Sequence, residues 1–249
     1  MKLALGTANF ARNYGIANKN KPTPSEVQCI LRTAWDSGIR LIDTAQAYGC
    51  DMSLFDGFDV VNKISSPNTT IPPSYALLTH SPQVDMMTLI MAKYRGIVQK
   101  IGAAVYSPDE LPALLVYPIN IIQLPLNVFD TRFCACIPVL KAKGIQVHIR
   151  SVFLQGLLLM HSPPFANAQV RRFQRTAKAY GYTPAQYALG RALACGGDVV
   201  VVGCNSAEQL KEIVAATPIP YDGNDFSMTD ENIINPTKWG TKPKRERKK

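Results

Sequence analysis

Four side chains able to take part in proton transfer lie at or just after short apolar runs. Asp43 ends "RLID", Lys63 ends "DVVNK" and His80 ends "YALLTH", while Tyr48 stands beside a glycine after the first of these runs. Each alone fits a structural role, since an aspartate that ends a strand is usually a turn former. Together they fit acid catalysis, because an ammonium favours the ionised phenol and a carboxylate holds that ammonium in place. The set predicts carbonyl reduction, with tyrosine as proton donor, histidine orienting the carbonyl oxygen and a cofactor supplying hydride.

Evenly spaced apolar runs predict the strands that would position these residues. Several runs are continuously apolar, as is typical of parallel strands that are covered on both faces. The candidate strands are residues 2–6, 40–43, 59–63, 75–80, 100–105, 119–124, 145–150 and 198–203.

Helix start signals lie between many of these runs. Thr23, Ser107 and Thr183 are each followed by proline and then by Glu or Gln, and Ser206 begins a similar segment without proline. This pattern is typical of a capped helix N-terminus. The predicted helices cover residues 25–37, 84–99, 132–143, 166–181, 184–195 and 207–216.

Strands that alternate with helices predict an α/β fold, a (β/α)8 TIM barrel. A doubly wound sheet is the alternative, but the sequence has no GxGxxG motif and no P-loop. The interval from residue 49 to 63 is short, and "ISSPNTTIPPS" at 64–74 is proline-rich. We therefore expect a trimmed barrel in which the helices after strands 2 and 3 are shortened or missing.

Composition and charge limit the class of protein. The 249 residues are 47% hydrophobic and 18% charged, which suits one large globular domain. We expect a single barrel domain over residues 1–217 and a C-terminal extension over 218–249 with a basic, disordered tail. The formal net charge is +9, of which residues 238–249 contribute +6. Nucleic-acid binding would depend on that tail alone and is not expected.

The distribution of cysteines and apolar residues predicts a cytoplasmic protein. The six cysteines form no CxxC pair and no Cys/His set at zinc spacing, so we expect reduced thiols and no metal site. No apolar run approaches the length of a membrane span, and the first residues are too short an apolar run for a signal peptide. We expect a monomer that acts on a small molecule and does not associate with membranes.

The order of these motifs resembles that of the aldo-keto reductases. The resemblance runs from Leu5 to about Ala216 and includes "LGTANF", "GIRLIDTAQAYG", "VVNK", "LLTHSP", "IIQLPLNVFD" and "VVVVGCNSAEQL". Its most specific part is "DTAxxYG" followed by a strand-ending lysine and then "THSP". The opening "LGTANFARNYGIANK" is similar to the branch found with bacterial surface-sugar biosynthesis.

The resemblance implies a catalytic tetrad of Asp43, Tyr48, Lys63 and His80. Tyr48 would donate the proton, Lys63 would tune its pKa, Asp43 would anchor Lys63, and His80 would orient the carbonyl. The resemblance also implies NADPH, with NADH as the open alternative, extended across the barrel mouth. Its implied binding residues are Gly6, Thr7, Gln123 at the carboxamide, Arg150, Ser151, and, toward the adenosine phosphate, Gly203, Asn205, Ser206 and Gln209.

Three departures from the family pattern bear on the cofactor. Ala103-Ala104 stand where a serine usually contacts the carboxamide, and Ile213 replaces a frequent asparagine near the adenine. Gln209 replaces an arginine that commonly pairs with the 2′-phosphate. Because a bidentate arginine is a specific phosphate ligand, this replacement leaves NADP versus NAD open.

The sequence therefore predicts an NAD(P)H-dependent oxidoreductase that reduces an aldehyde or ketone of a small, sugar-like substrate to an alcohol. A cofactor-binding barrel with little or no turnover, acting as a redox-responsive interaction module, is the alternative. The alanine pair and the trimmed helices motivate that alternative. The complete tetrad favours the reductase.

Overall fold

The protein is a closed barrel of eight parallel strands. The computed structural model describes residues 2–17, 20–66, 70–80 and 85–241. The strands pair in chain order and the last pairs with the first, which confirms the (β/α)8 prediction. They are β1 (Lys2–Gly6), β2 (Leu41–Asp43), β3 (Asp59–Ile64), β4 (Ser74–Thr79), β5 (Val98–Ala104), β6 (Ile121–Pro125), β7 (Gln146–Arg150) and β8 (Val199–Val202).

Helices surround this barrel unevenly. The α-helices are α1 (Pro24–Asp36), α2 (Met86–Tyr94), α3 (Leu111–Leu114), α4 (Cys136–Ala142), α5 (Asn167–Ala179), α6 (Pro184–Ala194), α7 (Ala207–Val214) and α8 (Glu231–Ile234). Short 3-10 turns cover Gln46–Tyr48, Met52–Phe55, Pro108–Glu110, Leu154–Leu159 and Pro236–Thr241. Only two such turns follow β2, and the described residues between β3 and β4 contain no helix. The trimmed second and third units are thus confirmed, although residues 67–69 lie outside the described part.

Side-chain caps begin the helices as the sequence predicts. The Thr23 hydroxyl accepts a hydrogen bond from the Glu26 backbone N–H at the start of α1. At α6, Thr183 and Gln186 satisfy each other's backbone N–H groups in a complete capping box. These bonds satisfy N–H groups that have no partner within their own helix.

Two predicted helices extend beyond the ends of the corresponding helices in the structure. The prediction for 84–99 is wrong at its C-terminal end, because α2 ends at Tyr94, Gly96 takes a left-handed conformation (φ 71°) and β5 begins at Val98. Residue 84 itself lies outside the described residues. The prediction for 132–143 is wrong at its start, because residues 132–135 form turns before α4. Local pattern cannot separate such turns from a first helical turn.

Strand periodicity divides the barrel into a packed interior and a polar rim. Two small clusters, one of Val61, Ala76, Leu78 and Ile121 and one of Ala4, Val199 and Val201, consist of fully or nearly buried side chains. Because side chains alternate between the two faces of a strand, Lys63 points the same way as Val61, and Gln123 the same way as Ile121. The polar residues at the carboxyl ends of the strands are therefore the next inward-facing layer above these clusters.

The described part of the C-terminal extension packs on the barrel. Phe226 and Ile234 are buried in the main core, and Arg132 forms an ion pair with Glu231 at 3.2 Å. The boundary at residue 217 remains a prediction, and the basic tail from 242 onward lies outside the described residues. None of the helices in the described ranges is long and apolar enough to cross a membrane.

Candidate active site

A buried ion pair lies at the carboxyl ends of neighbouring strands. Lys63 Nζ lies 2.5 Å from Asp43 Oδ1, and the two side chains are 2% and 8% exposed. Gln123 Nε2 donates a hydrogen bond to the other carboxylate oxygen, Oδ2, at 2.6 Å. Because β2 and β3 pair directly, residues far apart in sequence meet here as the strand-end pattern predicts.

Burial and pairing with Asp43 shift the pKa of Lys63 in opposite directions. Burial lowers the pKa of Lys63, while the Asp43 carboxylate raises it through charge and a direct hydrogen bond. Removing one member of such a pair leaves the other as an uncompensated buried charge. The pair therefore holds the lysine in one position beneath the cavity.

Tyr48 lies above this pair at the end of a 3-10 turn, directly before Gly49. Gly49 adopts a left-handed conformation (φ 75°), which lets the chain turn immediately after the tyrosine. Lys63 Nζ lies 5.6 Å from the centroid of the Tyr48 ring, and the His80 ring stands perpendicular to it at 6.0 Å between centroids. All four tetrad residues thus line one side of the same cavity.

The pKa of Tyr48 is raised, the opposite of the direction expected from a lysine neighbour. Burial is the main cause, and the Asp43 and Tyr14 side chains add to it, while Arg150 lowers the pKa. Among the described residues, no hydrogen bond joins the Tyr48 hydroxyl to Lys63. The phenol therefore carries its proton throughout the neutral range, as a proton donor must, and the tuning role of Lys63 remains a prediction.

His80 is held as a neutral imidazole. Burial lowers the pKa of His80 to about 4, and the positive charges of Lys63 and Arg150 contribute. Its backbone N–H donates to the Ile64 carbonyl at 2.8 Å, which fixes the residue at the end of β4. Its Nδ1 atom is buried without a hydrogen-bond partner in the described part of the chain. Ser81 and Pro82 of the "THSP" motif lie outside the described residues.

The tetrad lies in a cavity of about 430 Å³ that extends from the strand ends to α6 and α7. This volume is typical of a small-molecule or cofactor site. The wall includes most of the residues that the family resemblance implies for cofactor binding, namely Gly6, Gln123, Arg150, Ser151, Gly203, Asn205 and Gln209.

Thr7 and Ser206, also implied by the resemblance, do not line the cavity. The Thr7 hydroxyl is buried and donates to Thr44 Oγ1 at 2.8 Å, and the Thr7 backbone N–H donates to the Asp43 carbonyl at 3.0 Å. Ser206 caps α7 by accepting the Gln209 N–H at 3.2 Å. In this structure both residues support elements of the site, and their predicted contact with a cofactor remains untested.

The nicotinamide end of the implied cofactor fits the residues present. Gln123 Oε1 is buried without a hydrogen-bond partner in the described residues, while its amide nitrogen is used by Asp43. An unpaired buried acceptor is costly, so a carboxamide N–H at this position would satisfy it. The unpaired Gln123 Oε1 is therefore a suitable acceptor for the carboxamide N–H of a nicotinamide.

At the end of the cavity formed by α7, backbone N–H groups are already hydrogen-bonded to side chains. Glu26 Oε1 accepts the Ala207 N–H at 2.7 Å, and Gln209 Oε1 accepts the Asn205 N–H at 2.8 Å. Two of the backbone donors that could bind an anion at this helix N-terminus are therefore occupied by side chains of the protein itself. Glu212 also lines this part of the cavity.

Several wall residues come from loops that the sequence analysis did not connect to the site. Tyr14 lines the cavity because its loop packs on the loop after β7, where the Ile16 N–H donates to the Gln155 carbonyl at 3.1 Å. A side chain at Gly156 would meet Ala17 Cβ at 2.5 Å, so this packing requires glycine. The Arg12 guanidinium lies over the Tyr48 ring at 4.9 Å.

Enzymes built on a (β/α)8 barrel have their active sites at the carboxyl ends of the strands. The polar groups of this cavity lie at that end of the barrel. The sequence model of the Aldo/keto reductase family matches residues 2–56 and 76–234, so this chain belongs to the aldo/keto reductase family. Family and fold together support an NAD(P)H-dependent oxidoreductase of carbonyl compounds.

Solved structures similar to this chain are aldo-keto reductases. The holo form of AKR11C1 from Bacillus halodurans has a TM-score of 0.70 at 15% identity, covering 88% of this chain and 88% of that chain. The glycerol dehydrogenase AKR11B4 from Gluconobacter oxydans has a TM-score of 0.63 at 18% identity, covering 89% of this chain and 94% of that one. At such identities the similarity establishes the fold. A comparison with curated protein sequences finds no match.

Proposed function

We propose that this protein reduces an aldehyde or ketone on a small molecule to an alcohol, with a reduced nicotinamide cofactor as hydride donor. The buried Lys63–Asp43 pair, placed beside Tyr48 and His80 on one cavity, is the observation that carries the proposal. The family resemblance favours NADPH, with NADH as the alternative. It also motivates a sugar-like substrate, and the composition motivates a cytoplasmic monomer.

Tyr48 is the proton donor in this proposal. Its raised pKa keeps the phenol protonated, and the proton moves to the carbonyl oxygen as hydride reaches the carbonyl carbon. The neutral His80 orients the carbonyl oxygen through a ring N–H. The Lys63 ammonium, held by Asp43, stabilises the negative charge that develops on the phenol oxygen as the proton leaves.

The residues around the tetrad would hold the cofactor and admit the substrate. Gln123 offers its unpaired Oε1 to the carboxamide, and the bound nicotinamide supplies the hydride that no side chain can supply. After the reaction the phenolate regains its proton from water at the cavity mouth.

Replacing the phenol tests this proposal. Tyr48→Phe should lower the rate of 4-nitrobenzaldehyde reduction by about 100- to 10,000-fold, as expected for loss of a general acid. The matched control is Tyr94→Phe, at a tyrosine that is 85% exposed on α2. Consumption of the reduced cofactor is followed by absorbance, and cofactor binding confirms that each variant is folded. Undiminished turnover by Tyr48→Phe would contradict the role of Tyr48.

A barrel that binds cofactor with little turnover, as a redox-responsive interaction module, is the second candidate. The raised pKa of Tyr48 favours it, because a phenol that holds its proton tightly is a weaker acid. Tight cofactor binding without consumption across a panel of aldehydes would support this candidate. Steady consumption would exclude it.

A further inference from the structure

We propose that Arg12 makes this site selective for carbonyl compounds that carry an anionic oxygen group, such as a carboxylate. This inference rests on the proposed reductase function and names a substrate class for the same cavity. Arg12 would bind the anionic end of the substrate while the carbonyl end lies at Tyr48.

Arg12 is an exposed residue that lies over two tyrosines of the cavity wall. Its guanidinium carbon is 4.9 Å from the centroid of the Tyr48 ring and 5.8 Å from that of Tyr14. Nη1 donates to the Ala47 carbonyl at 3.3 Å, which ties Arg12 to the turn that carries Tyr48. The positive charge is thus held against the ring of the proposed proton donor.

Most N–H donors of the Arg12 guanidinium have no hydrogen-bond partner among the described residues. Arginine carries five N–H donors, and the bond to Ala47 uses one of them. Within the described residues Arg12 forms no ion pair with a carboxylate, and Glu246 is the only acidic side chain outside them. An anionic oxygen group on a bound molecule would meet an arginine whose charge is not already neutralised.

The surrounding charges reinforce this preference. Arg150 lines the same cavity, bonded to the Val105 carbonyl at 3.0 Å and to Ser151 Oγ at 3.1 Å, and it too lacks an ion pair within the described ranges. The Asp43 carboxylate is already bonded to Lys63 and Gln123. The tetrad side of the cavity therefore presents a net positive charge, which attracts anions.

A competing role for Arg12 is purely structural. A guanidinium stacked on an aromatic ring stabilises the ring position whatever the ligand. That role predicts equal effects on charged and uncharged ligands when Arg12 is replaced. Charge selectivity predicts an effect on the charged ligand alone, so paired ligands of similar shape separate the two roles.

Binding of benzoate and benzamide to the cofactor-loaded protein, measured by calorimetry, gives a readout that needs no turnover. We expect benzoate to bind roughly 10-fold or more tightly than benzamide, because a hydrogen bond to a charged group is stronger than one to a neutral group. Arg12→Gln should remove most of this difference, and Arg12→Lys should retain part of it. The matched control is Arg32→Gln on α1, where Arg32 pairs with Asp36 at 3.8 Å. Equal binding of the two ligands by the wild type, or an unchanged difference in Arg12→Gln, would overturn the inference.

Turnover of two aldehydes completes the test. 4-Carboxybenzaldehyde and 4-nitrobenzaldehyde are similar in shape and differ in charge, and Arg12→Gln should lower kcat/KM roughly 10-fold for the first only. An equal loss for both aldehydes would favour the structural role and contradict charge selectivity. Selective benzoate binding without reduction of either aldehyde would contradict the reductase function and leave the anion site standing.

Discussion

The two titratable groups that the proposed mechanism places at the carbonyl are both held uncharged. Burial raises the pKa of the Tyr48 phenol and lowers that of the His80 imidazole, because it disfavours the charged form of either group. Lys63 and Arg150 add to the effect on His80. The site therefore combines a neutral acid and a neutral hydrogen-bonding ring with a fixed ammonium beneath them.

The pH dependence of catalysis should reflect the lowered pKa of His80. Because its pKa in the folded protein is about 4, the ring becomes charged only as the pH falls toward that value. We expect kcat/KM for 4-nitrobenzaldehyde to be flat from neutral pH down to about 5.5 and to fall with a midpoint near 4. Protein fluorescence at each pH separates this fall from acid unfolding. A midpoint near the ordinary histidine value of about 6.5 would contradict the assignment.

Lys63→Met should destabilise the protein as well as inactivate it. The substitution leaves Asp43 buried without its cation, which typically costs about 3–5 kcal/mol. Urea unfolding measures the change in the free energy of unfolding. Adding Asp43→Asn in a double variant should restore part of it, since the remaining uncompensated charge is then removed. A loss below about 1 kcal/mol in the single variant would show that the pair is not a buried unit.

Residues at strand ends could be predicted from the sequence because strand periodicity decides which side chains face inward. The positions of their strands were enough to predict that Asp43, Lys63 and Gln123 face inward. The contact of Arg12 with Tyr48 could not be predicted in this way. It depends on the path of a loop, and no local pattern encodes which distant ring a loop residue will cover.

At the scale of elements, α1 and α7 are joined by one carboxylate. Glu26, in the first turn of α1, accepts the Ala207 N–H at the first residue of α7. This bond places a negative charge beside the helix end that the family resemblance assigns to the adenosine phosphate. A 2′-phosphate there would meet repulsion instead of a free helix N-terminus.

Glu26→Gln should therefore improve the binding of NADPH relative to NADH. We expect the variant to shift the ratio of dissociation constants several-fold toward NADPH relative to the wild type, since interactions with a helix dipole contribute about 0.3–1 kcal/mol. Quenching of protein fluorescence by each cofactor measures the ratio. Asp36→Asn, at the other end of α1, is the control. An unchanged ratio of dissociation constants in Glu26→Gln would contradict this account.

Most elements could be predicted, and the errors have a common cause. Continuous apolar runs located all eight strands, because parallel strands covered on both faces require them. Helix starts with a hydroxyl cap were found for the same local reason. The end of α2 was misplaced because the apolar residues that follow it belong to the next strand, and helix and strand patterns overlap in short apolar segments.

At the scale of the whole molecule, the C-terminal extension contributes to the core of the barrel. Ile234 is 1% exposed and Phe226 is 7% exposed, and both belong to the main hydrophobic cluster. Asp222 accepts a hydrogen bond from the Tyr187 hydroxyl and pairs with Arg191 at 3.1 Å. The extension thus covers apolar surface of α5 and α6 that would otherwise face water.

Two truncations distinguish the packed part of the extension from the basic tail. Ending the chain after Thr217 should lower Tm sharply, because burying each large apolar side chain contributes about 1.5–3 kcal/mol. Ending it after Thr241 should leave Tm within about 2 °C, within the usual range for surface changes. Thermal denaturation followed by circular dichroism makes the comparison. Equal Tm values for the two truncations would contradict a structural role for residues 218–241.

Transfer of a label is the most direct test of the central claim, that a carbonyl is reduced at Tyr48. The protein is incubated with reduced cofactor deuterated at the transferred position and with 4-nitrobenzaldehyde, and the alcohol is analysed by mass spectrometry. We predict one deuterium on the carbinol carbon with the wild type and almost no alcohol with Tyr48→Phe. Wild-type protein that binds the cofactor yet forms no labelled alcohol, or a Tyr48→Phe variant that forms it at the wild-type rate, would contradict the account.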